Sequence, residues 1–168
     1  MEHWVRVNKS DPVACSLADR HYSRRKIGAP QFMPPGQTIV LLRAEGFVTG
    51  DALFGWWRPD PSSGLKAMNG LDGWTCTIFR NESPALSSEL ILDAEMALAE
   101  FGYDTGPDGL LTYVWDAKVR RKRDPGRCFR KADWHACGRS ADDMKTLLHK
   151  GGQLRGQPCL PRMKQKAT

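Results

Sequence analysis

The sequence lacks the short motifs with which many enzymes hold phosphates or metals. Neither GxxxxGK[ST] nor GxGxxG occurs, which excludes the common glycine-rich nucleotide loops. HExxH and the HxE…PCxxC pattern are also missing, which excludes the common zinc hydrolases and the zinc deaminases. No GxSxG pattern surrounds a serine, so a hydrolase nucleophile elbow is not predicted. Any chemistry must therefore rest on a different arrangement of side chains.

The cysteines do not fit a disulfide framework. The chain has five cysteines, an odd number, and no two of them form a CxxC pair, so we expect no disulfides. Cys128, His135 and Cys137 lie close together in sequence, and Cys15 or His21 would be needed to complete a zinc site. Their spacing matches no common zinc pattern. We therefore predict no metal centre.

Long apolar runs are absent as well. No stretch approaches the roughly 20 residues that cross a bilayer, and residues 1–6 show no apolar signal-peptide region. We therefore expect a cytoplasmic protein with no membrane partner. With 168 residues, of which 40% are hydrophobic and 26% charged, the chain fits one domain over residues 1–150. Residues 151–168 predict a basic, flexible C-terminal tail.

Positive charge is in excess and is concentrated in a few segments. The formal net charge is +6, and residues 118–131 hold eight Lys or Arg and one acid. Segregated charge of this kind favours a polyanionic partner, although basic patches also occur on proteins that bind no nucleic acid. The candidate nucleic-acid contacts are Arg24, Arg25, Lys26, Arg120, Arg121, Lys122, Arg123, Arg127, Arg130 and Lys131.

Hydrophobic periodicity predicts an α/β domain. Residues 4–7 form a strand, a helix runs from Pro12 to about Tyr22, and residues 38–42 and 47–57 form a hairpin. A strand over 74–79, a helix over 87–101 and a strand over 110–115 predict a crossover between parallel neighbours. We further expect a strand over 126–137 and a last helix capped by residues 140–143.

The most informative segment is the polar turn over residues 80–88. It follows a buried strand and begins a helix, a position where backbone N–H groups favour an anion or a reacting carbonyl. Arg80 suits a bidentate contact with a phosphate or carboxylate, and Glu82 suits a base. Ser87 or Ser88 suits a hydrogen bond to a carbonyl or an attack on it. The alternative is that the serines only cap the helix.

Two further places carry reactive side chains. His21, Tyr22 and Ser23 follow the first helix, where histidine suits proton transfer and tyrosine suits stacking on a base. The alternative is a helix end that favours cations, with His21 half in the core. Asp116 follows a strand at the edge where ligands of α/β sheets gather, and a turn or cap is its alternative role. Cys128 has no activating partner visible in sequence.

With these residues in view, the chain resembles the Mom-type DNA-modification proteins of phages and prophages, which are divergent members of the GNAT acyltransferase superfamily. The resemblance covers roughly residues 10–150. The segments that carry it are His21-Tyr22-Ser23, Phe79-Arg80-Asn81-Glu82, Leu86-Ser87-Ser88-Glu89-Leu90-Ile91, Leu111-Thr112-Tyr113-Val114 and Pro125-Gly126-Arg127-Cys128-Phe129.

The resemblance implies a single GNAT-like α/β domain, with a mixed, strongly bent sheet flanked by helices. It implies a transferase that adds an acyl-derived or carbamoylmethyl-type group to the N6 amine of adenine in double-stranded DNA. This modification protects DNA from restriction inside a bacterial host cell. The target adenine must leave the stack, and Tyr22, Trp56, Trp57 and Trp134 are candidates to stack on it. The catalytic residues implied are His21, Tyr22, Ser23, Ser87 or Ser88, and Asp116.

The chain departs from ordinary GNAT enzymes at the donor loop. Those enzymes hold the pyrophosphate of acetyl-CoA with a Gln/Arg-x-x-Gly-x-Gly/Ala turn, whereas residues 80–88 contain no glycine and Pro84 lacks an N–H donor. The cofactor is therefore left open between acetyl-CoA and another activated donor. The candidate donor contacts are Arg80, Asn81 and Ser83.

Two other functions remain open at this point. The chain could be a GNAT-like acyltransferase that acts on a small amine or a protein. It could also be a non-enzymatic accessory protein that binds DNA or a host factor, in which case the polar turn should tolerate alanine substitution. Failure to bind DNA would favour the acyltransferase over DNA modification. DNA that contains only normal nucleosides would favour the accessory protein.

Overall fold

The computed structural model describes residues 4–45, 48–64, 68–119 and 124–152, and within them it is an α/β structure. The described helices are α1 (Pro12–Asp19), α2 (Ser87–Glu100) and α3 (Arg127–Lys131). The described strands are β1 (Trp4–Val7), β2 (Gln37–Glu45), β3 (Val48–Arg58), β4 (Trp74–Asn81), β5 (Leu110–Trp115), β6 (His135–Arg139) and β7 (Lys145–Lys150). The basic segment 120–123 and tail residues 153–168 lie outside the described part of the chain.

The strands form one mixed sheet in the order β1-β2-β3-β4-β5-β7-β6. The hairpin predicted before residue 58 is confirmed as the antiparallel pair β2 and β3. The predicted crossover is also confirmed, because α2 connects β4 to its parallel neighbour β5. Every other neighbouring pair in the sheet is antiparallel.

Helices pack on both faces of the sheet. Leu17 of α1 joins Val40 and Leu53 in a cluster on one face. Ile91 of α2 and Phe129 of α3 belong to a larger cluster on the other face. Because successive strand residues point to opposite faces, adjacent sheet residues such as Leu53 and Phe54 belong to different clusters. No helix among the described residues is long and apolar enough to cross a membrane.

The two longer helices follow the sequence pattern closely. The carboxylate of Asp11 accepts hydrogen bonds from the backbone of Val13 and Ala14, and Pro12 opens α1. α1 nevertheless ends at Asp19, about three residues earlier than predicted, so His21 lies in the following turn. The apolar face of α2 is buried through Leu98.

Two predictions near the C-terminus are wrong, the first of them in part, since residues 135–137 of the strand predicted over 126–137 do lie in β6. Residues 127–131 form the short helix α3 rather than a strand; it buries Phe129, and the chain then turns through Asp133 at a φ of 66°. Residues 140–143 form a turn between β6 and β7 rather than cap a helix. The physical reason is that Asp142 accepts from the backbone N–H of Met144 at 3.1 Å, which stabilises a turn instead of a first helical turn.

The sheet divides between β4 and β5. These strands pair only at Trp74 with Leu110, Thr75 with Leu111 and Cys76 with Thr112, although both continue further. On the other side of β4, Gly55 faces Ile78 while the next residue of β3 faces Cys76. Thr77 is therefore an extra residue in β4. A bulge of this kind bends its strand, and β4 leaves β5 at this point.

Candidate active site

A cavity of about 470 Å³ occupies the gap between β4 and β5. It is lined from both faces of the sheet, because the turn after α1 reaches it on one side and α2 and α3 reach it on the other. The strand residues on its walls are Cys76, Thr77, Ile78, Phe79, Asn81, Thr112, Tyr113 and Val114. The remaining walls are His21, Tyr22, Leu86, Ser87, Ser88, Val119, Asp124, Gly126, Arg127, Cys128, Phe129 and Lys131. The histidine cluster and the polar turn therefore share one cleft.

His21 enters the cavity as a neutral imidazole. Burial lowers its pKa to about 4, the positive charge of Arg80 adds to this shift, and a hydrogen bond with the backbone of Phe79 opposes it. Its Nδ1 accepts a hydrogen bond from the Ser23 backbone at 3.2 Å and lies 2.7 Å from Ser23 Oγ. Since Nδ1 accepts, Nε2 carries the proton. At neutral pH the imidazole is therefore uncharged, and its Nδ1 lone pair is shared with Ser23.

Tyr22 lies beside His21 in the same gap and contacts the other strand. Its ring is 4.2 Å from the ring of His21 between centroids, and 38% of the residue is exposed. Burial of the phenol raises the pKa of Tyr22, and a hydrogen bond with the Trp115 backbone opposes this rise. His21 is thus bonded to β4 and Tyr22 to β5. The turn that carries them bridges the two strands where they separate.

An ion-pair cluster of Arg20, Glu82 and Arg80 holds this turn in place. Both Glu82 oxygens accept from Arg20 at 2.8 Å, and Arg80 Nε donates to Glu82 at 2.6 Å. Arg80 also donates to the backbone oxygen of Arg20, the residue before His21. Hydrogen bonds from Arg20 and then Arg80 lower the pKa of Glu82 to about 2.

This cluster gives Glu82 and Arg80 a different role from the predicted one. A carboxylate with a pKa near 2 is a weak base at neutral pH, and Arg80 already has two partners within the protein. Neither side chain lines the cavity. The geometry therefore assigns them to positioning His21 rather than to proton transfer or donor binding.

Asn81 organises the glycine-free turn. Its amide nitrogen donates to the backbone of Ala85 at 2.8 Å and to Ser87 Oγ at 3.1 Å. Its carbonyl oxygen accepts from the backbone N–H of Ser83 at 2.9 Å and from the hydroxyl of Ser83 at 2.6 Å. Ser83 in turn accepts from the Ala85 backbone at 3.2 Å. Side-chain hydrogen bonds thus shape this glycine-free turn.

The capping explanation for Ser87 and Ser88 is wrong. The N-cap of α2 is Leu86, whose side chain makes no capping hydrogen bond. Both serines are the first helical residues and both line the cavity. The first turn of α2 therefore presents hydroxyl groups and backbone N–H groups without a side-chain cap, where the helix dipole favours negative charge.

Asp116 has partners that give it a structural role. Its carboxylate accepts from Arg139 at 2.9 Å and from Thr146 at 2.9 Å and 3.0 Å. It therefore connects the end of β5 to β6 and β7, and it is not among the residues that line the cavity. Its charge is close enough to contribute to the raised pKa of Tyr22.

The predicted basic contacts fall into three groups. Arg24 is only 7% exposed and bonds Asp19 at 2.6 Å, and Arg130 bonds Asp124 at 2.7 Å. These two arginines are therefore paired within the protein. Arg25 and Lys26 are exposed beside the His21 turn. Arg127 and Lys131, one helical turn apart on α3, line the cavity, and neither forms an ion pair with a described residue.

The aromatic residues predicted to stack on a base are mostly buried. Trp56, Trp57 and Trp134 are 0%, 6% and 1% exposed and belong to the core, so this prediction is wrong for all three. Tyr22 remains, since it is exposed and lines the cavity. Among the described residues, no group of three or more His, Cys, Asp or Glu side chains is arranged to hold a metal ion.

Comparison with known proteins found no match. No protein-family model, no curated protein and no solved structure matches the chain. The class of the protein is therefore defined by its own geometry. Within the described residues it is an α/β structure whose mixed sheet divides around a cavity lined by both apolar and polar side chains. A neutral histidine lies on one face, and the start of α2, which has no side-chain cap, lies on the other.

Proposed function

We propose that the protein is a GNAT-like transferase that modifies the N6 amine of adenine in DNA and so protects the DNA from restriction. The observation that carries the proposal is the cavity between β4 and β5, which joins His21 and Tyr22 to Ser87 and Ser88 across the sheet. The strand order and the parallel pair connected by α2 support the GNAT-like assignment that the sequence resemblance implies.

The cavity has two sides with different chemistry, as a two-substrate reaction requires. On the α2 and α3 side, hydroxyl groups, helix N–H groups, Arg127 and Lys131 suit an activated donor with a negatively charged part. On the α1 side, Tyr22 offers an exposed ring on which an extruded base can stack. The donor and the adenine would thus meet within the gap.

The transfer depends more on accurate placement of the adenine amine and the donor than on a strong base. The adenine amine is a poor nucleophile because its lone pair is delocalised into the ring. As its nitrogen forms a bond to the transferred carbon, the donor's leaving group departs with the bonding electron pair. The amine becomes strongly acidic in this step, so the neutral imidazole of His21 is able to take its proton despite a pKa of about 4. Tyr22 holds the base in reach.

Mass spectrometry of nucleosides from cells that express the chain tests this proposal. We expect a modified deoxyadenosine with wild-type protein and none with His21→Ala. DNA affinity of that variant should change less than about tenfold, because a proton acceptor contributes little to binding. Unmodified nucleosides from wild-type cells, or modification that survives His21→Ala, would contradict the proposal.

Transfer to a small amine or a protein is the second candidate. Arg24 and Arg130 are bonded within the protein, so fewer cations remain for DNA than the sequence predicted. A gel-shift titration over salt separates the candidates, because phosphate contacts weaken steeply as salt rises. Failure to bind DNA even at low salt would favour the smaller acceptor.

A further inference from the structure

Two lysines flank an aromatic ring at the end of β5. Trp115 is half-buried, and the ammonium nitrogens of Lys118 and Lys145 lie 5.3 Å and 5.4 Å from the centre of its ring. Lys145 is the partner of Trp115 in the register between β5 and β7. Lys118 lies in the turn of 3₁₀ helix that follows β5. Two separate elements therefore bring a cation to the same indole.

The acids near this group are engaged elsewhere. Asp116 and Asp143 both bond Arg139. Asp142 is bonded to Ser140 and to the backbone of Met144, and Lys145 makes only a minor contribution to its lowered pKa. Within the described ranges, neither lysine forms a salt bridge with a carboxylate. Two like charges around one ring repel each other, and an anionic partner would relieve this.

The group continues directly into the cavity. Tyr113 lines the cavity and lies on the same face of β5 as Trp115, because the two residues are two positions apart. The backbone of Trp115 is also the hydrogen-bond partner of Tyr22. The indole and its two lysines thus lie beside the His21 and Tyr22 side of the cavity, where the acceptor base would enter.

We propose that Trp115, Lys118 and Lys145 bind the DNA strand next to the extruded adenine. The lysines neutralise two backbone phosphates, and the indole packs against a neighbouring base or sugar. Lysine over an aromatic face is held by a weak attraction at an exposed site, so both ammonium groups are able to turn toward phosphates when DNA arrives. This inference rests on DNA being the acceptor.

Binding of a labelled DNA duplex over a salt series tests the contact with the full-length protein. For Lys118→Gln/Lys145→Gln we expect the slope of log affinity against log salt to fall by about 1.8, since each phosphate contact contributes about 0.9. The matched control is Arg6→Gln/Lys9→Gln, which removes two charges near β1, an edge strand far from β5 and β7. The control should leave the slope unchanged.

A second pair of variants tests the indole. Trp115→Leu should weaken DNA binding about tenfold without changing the salt slope, and Trp115→Phe should recover most of the loss because it restores an aromatic face. A slope unchanged by the lysine pair, or lowered equally by the control, overturns this inference while DNA modification stands. Absence of DNA binding by the wild-type protein overturns both proposals.

Discussion

The cations on the two sides of the cavity differ in their partners. On the α1 side, Arg20 and Arg80 share the carboxylate of Glu82 and hold the turn that carries His21. On the other side, Arg127 and Lys131 face the cavity without an ion pair to a described residue. Charges that satisfy each other fix a shape, whereas charges without an internal partner are left for a ligand. Under the proposed function, basic side chains hold the His21 turn in position on one side of the cavity and would bind the donor on the other.

Among the charged residues around the cavity, the largest effect should come from Arg127 and Lys131, whose side chains line it. We expect Arg127→Gln/Lys131→Gln to lower the content of modified deoxyadenosine by at least tenfold, because an ion pair to a ligand in a cavity contributes a few kcal/mol. The comparison is Arg130→Gln on the same helix, whose charge is already paired with Asp124. Nucleoside mass spectrometry measures both variants. An equal loss of modified deoxyadenosine in both variants would show that cations paired within the protein and cations without such a pair do not differ in role.

A smaller loss should follow from breaking the ion-pair cluster. Glu82→Gln keeps the shape of the side chain but removes its charge, so the turn that carries His21 is held less firmly. We expect modification to fall several-fold while stability at pH 7 falls by about 1 kcal/mol or less, as is typical of partly exposed ion pairs. If Glu82 were the proton acceptor, the loss would match that of His21→Ala, which would contradict the positioning role.

The same cluster predicts a dependence of stability on pH. The pKa of Glu82 is lowered to about 2 from its ordinary value of 4.5, so the unfolded chain binds the proton more readily. The stabilisation is present above pH 4.5 and is lost as the pH falls toward 2. Wild-type protein should therefore lose more unfolding free energy than Glu82→Gln between pH 5 and pH 2 in urea titrations. Parallel losses would contradict the lowered pKa.

Titration of His21 should change the free energy of unfolding over a different pH range from that of Glu82. Its pKa is lowered from 6.5 to about 4, so the unfolded chain takes up a proton first as the pH falls. Stability should decline between about pH 6.5 and pH 4 in the wild type, and less in His21→Gln, which does not titrate. Urea unfolding at pH 7.5 and 4.5 measures the difference. Equal declines in both proteins would show that the imidazole is not desolvated.

The smallest effect should be at the start of α2. Ser88→Ala should change the unfolding free energy by less than about 0.5 kcal/mol, because Ser88 does not cap the helix. Asp11→Ala is the contrasting variant, since Asp11 does cap α1, and it should cost about 1 kcal/mol. Chemical denaturation compares them. Modification should respond in the opposite order, with Ser88→Ala the more damaging of the two.

Local patterns in the sequence were sufficient for much of the fold. The bounds of β5 agree with the prediction, and α2 begins at the predicted residue, because a long apolar stripe or a continuous β-prone run is a strong signal. α3 was missed because it has five residues, too few for a helical period to stand out. The turn before β7 was missed because Ser and Asp favour helix caps and turns alike.

The site was predictable in its location but not in the roles of its residues. Polar residues at a strand-to-helix junction pointed to the cavity wall. Glu82, however, meets Arg20 across 62 residues of sequence, and Trp56 and Trp134 are fully enclosed in the core. Such roles depend on which distant side chains become neighbours. The sequence likewise carries no mark of the extra residue Thr77 in β4, since a bulge is defined only relative to a partner strand.

That extra residue makes the cavity depend on the length of β4. Without Thr77, the register between β3 and β4 would be continuous. β4 would then lack the bend that separates it from its parallel neighbour β5. The two strands would then pair further along their length, and backbone hydrogen bonds would take the place of the cavity. Deletion of Thr77 would therefore alter the cavity more than exchange of any single side chain on its walls.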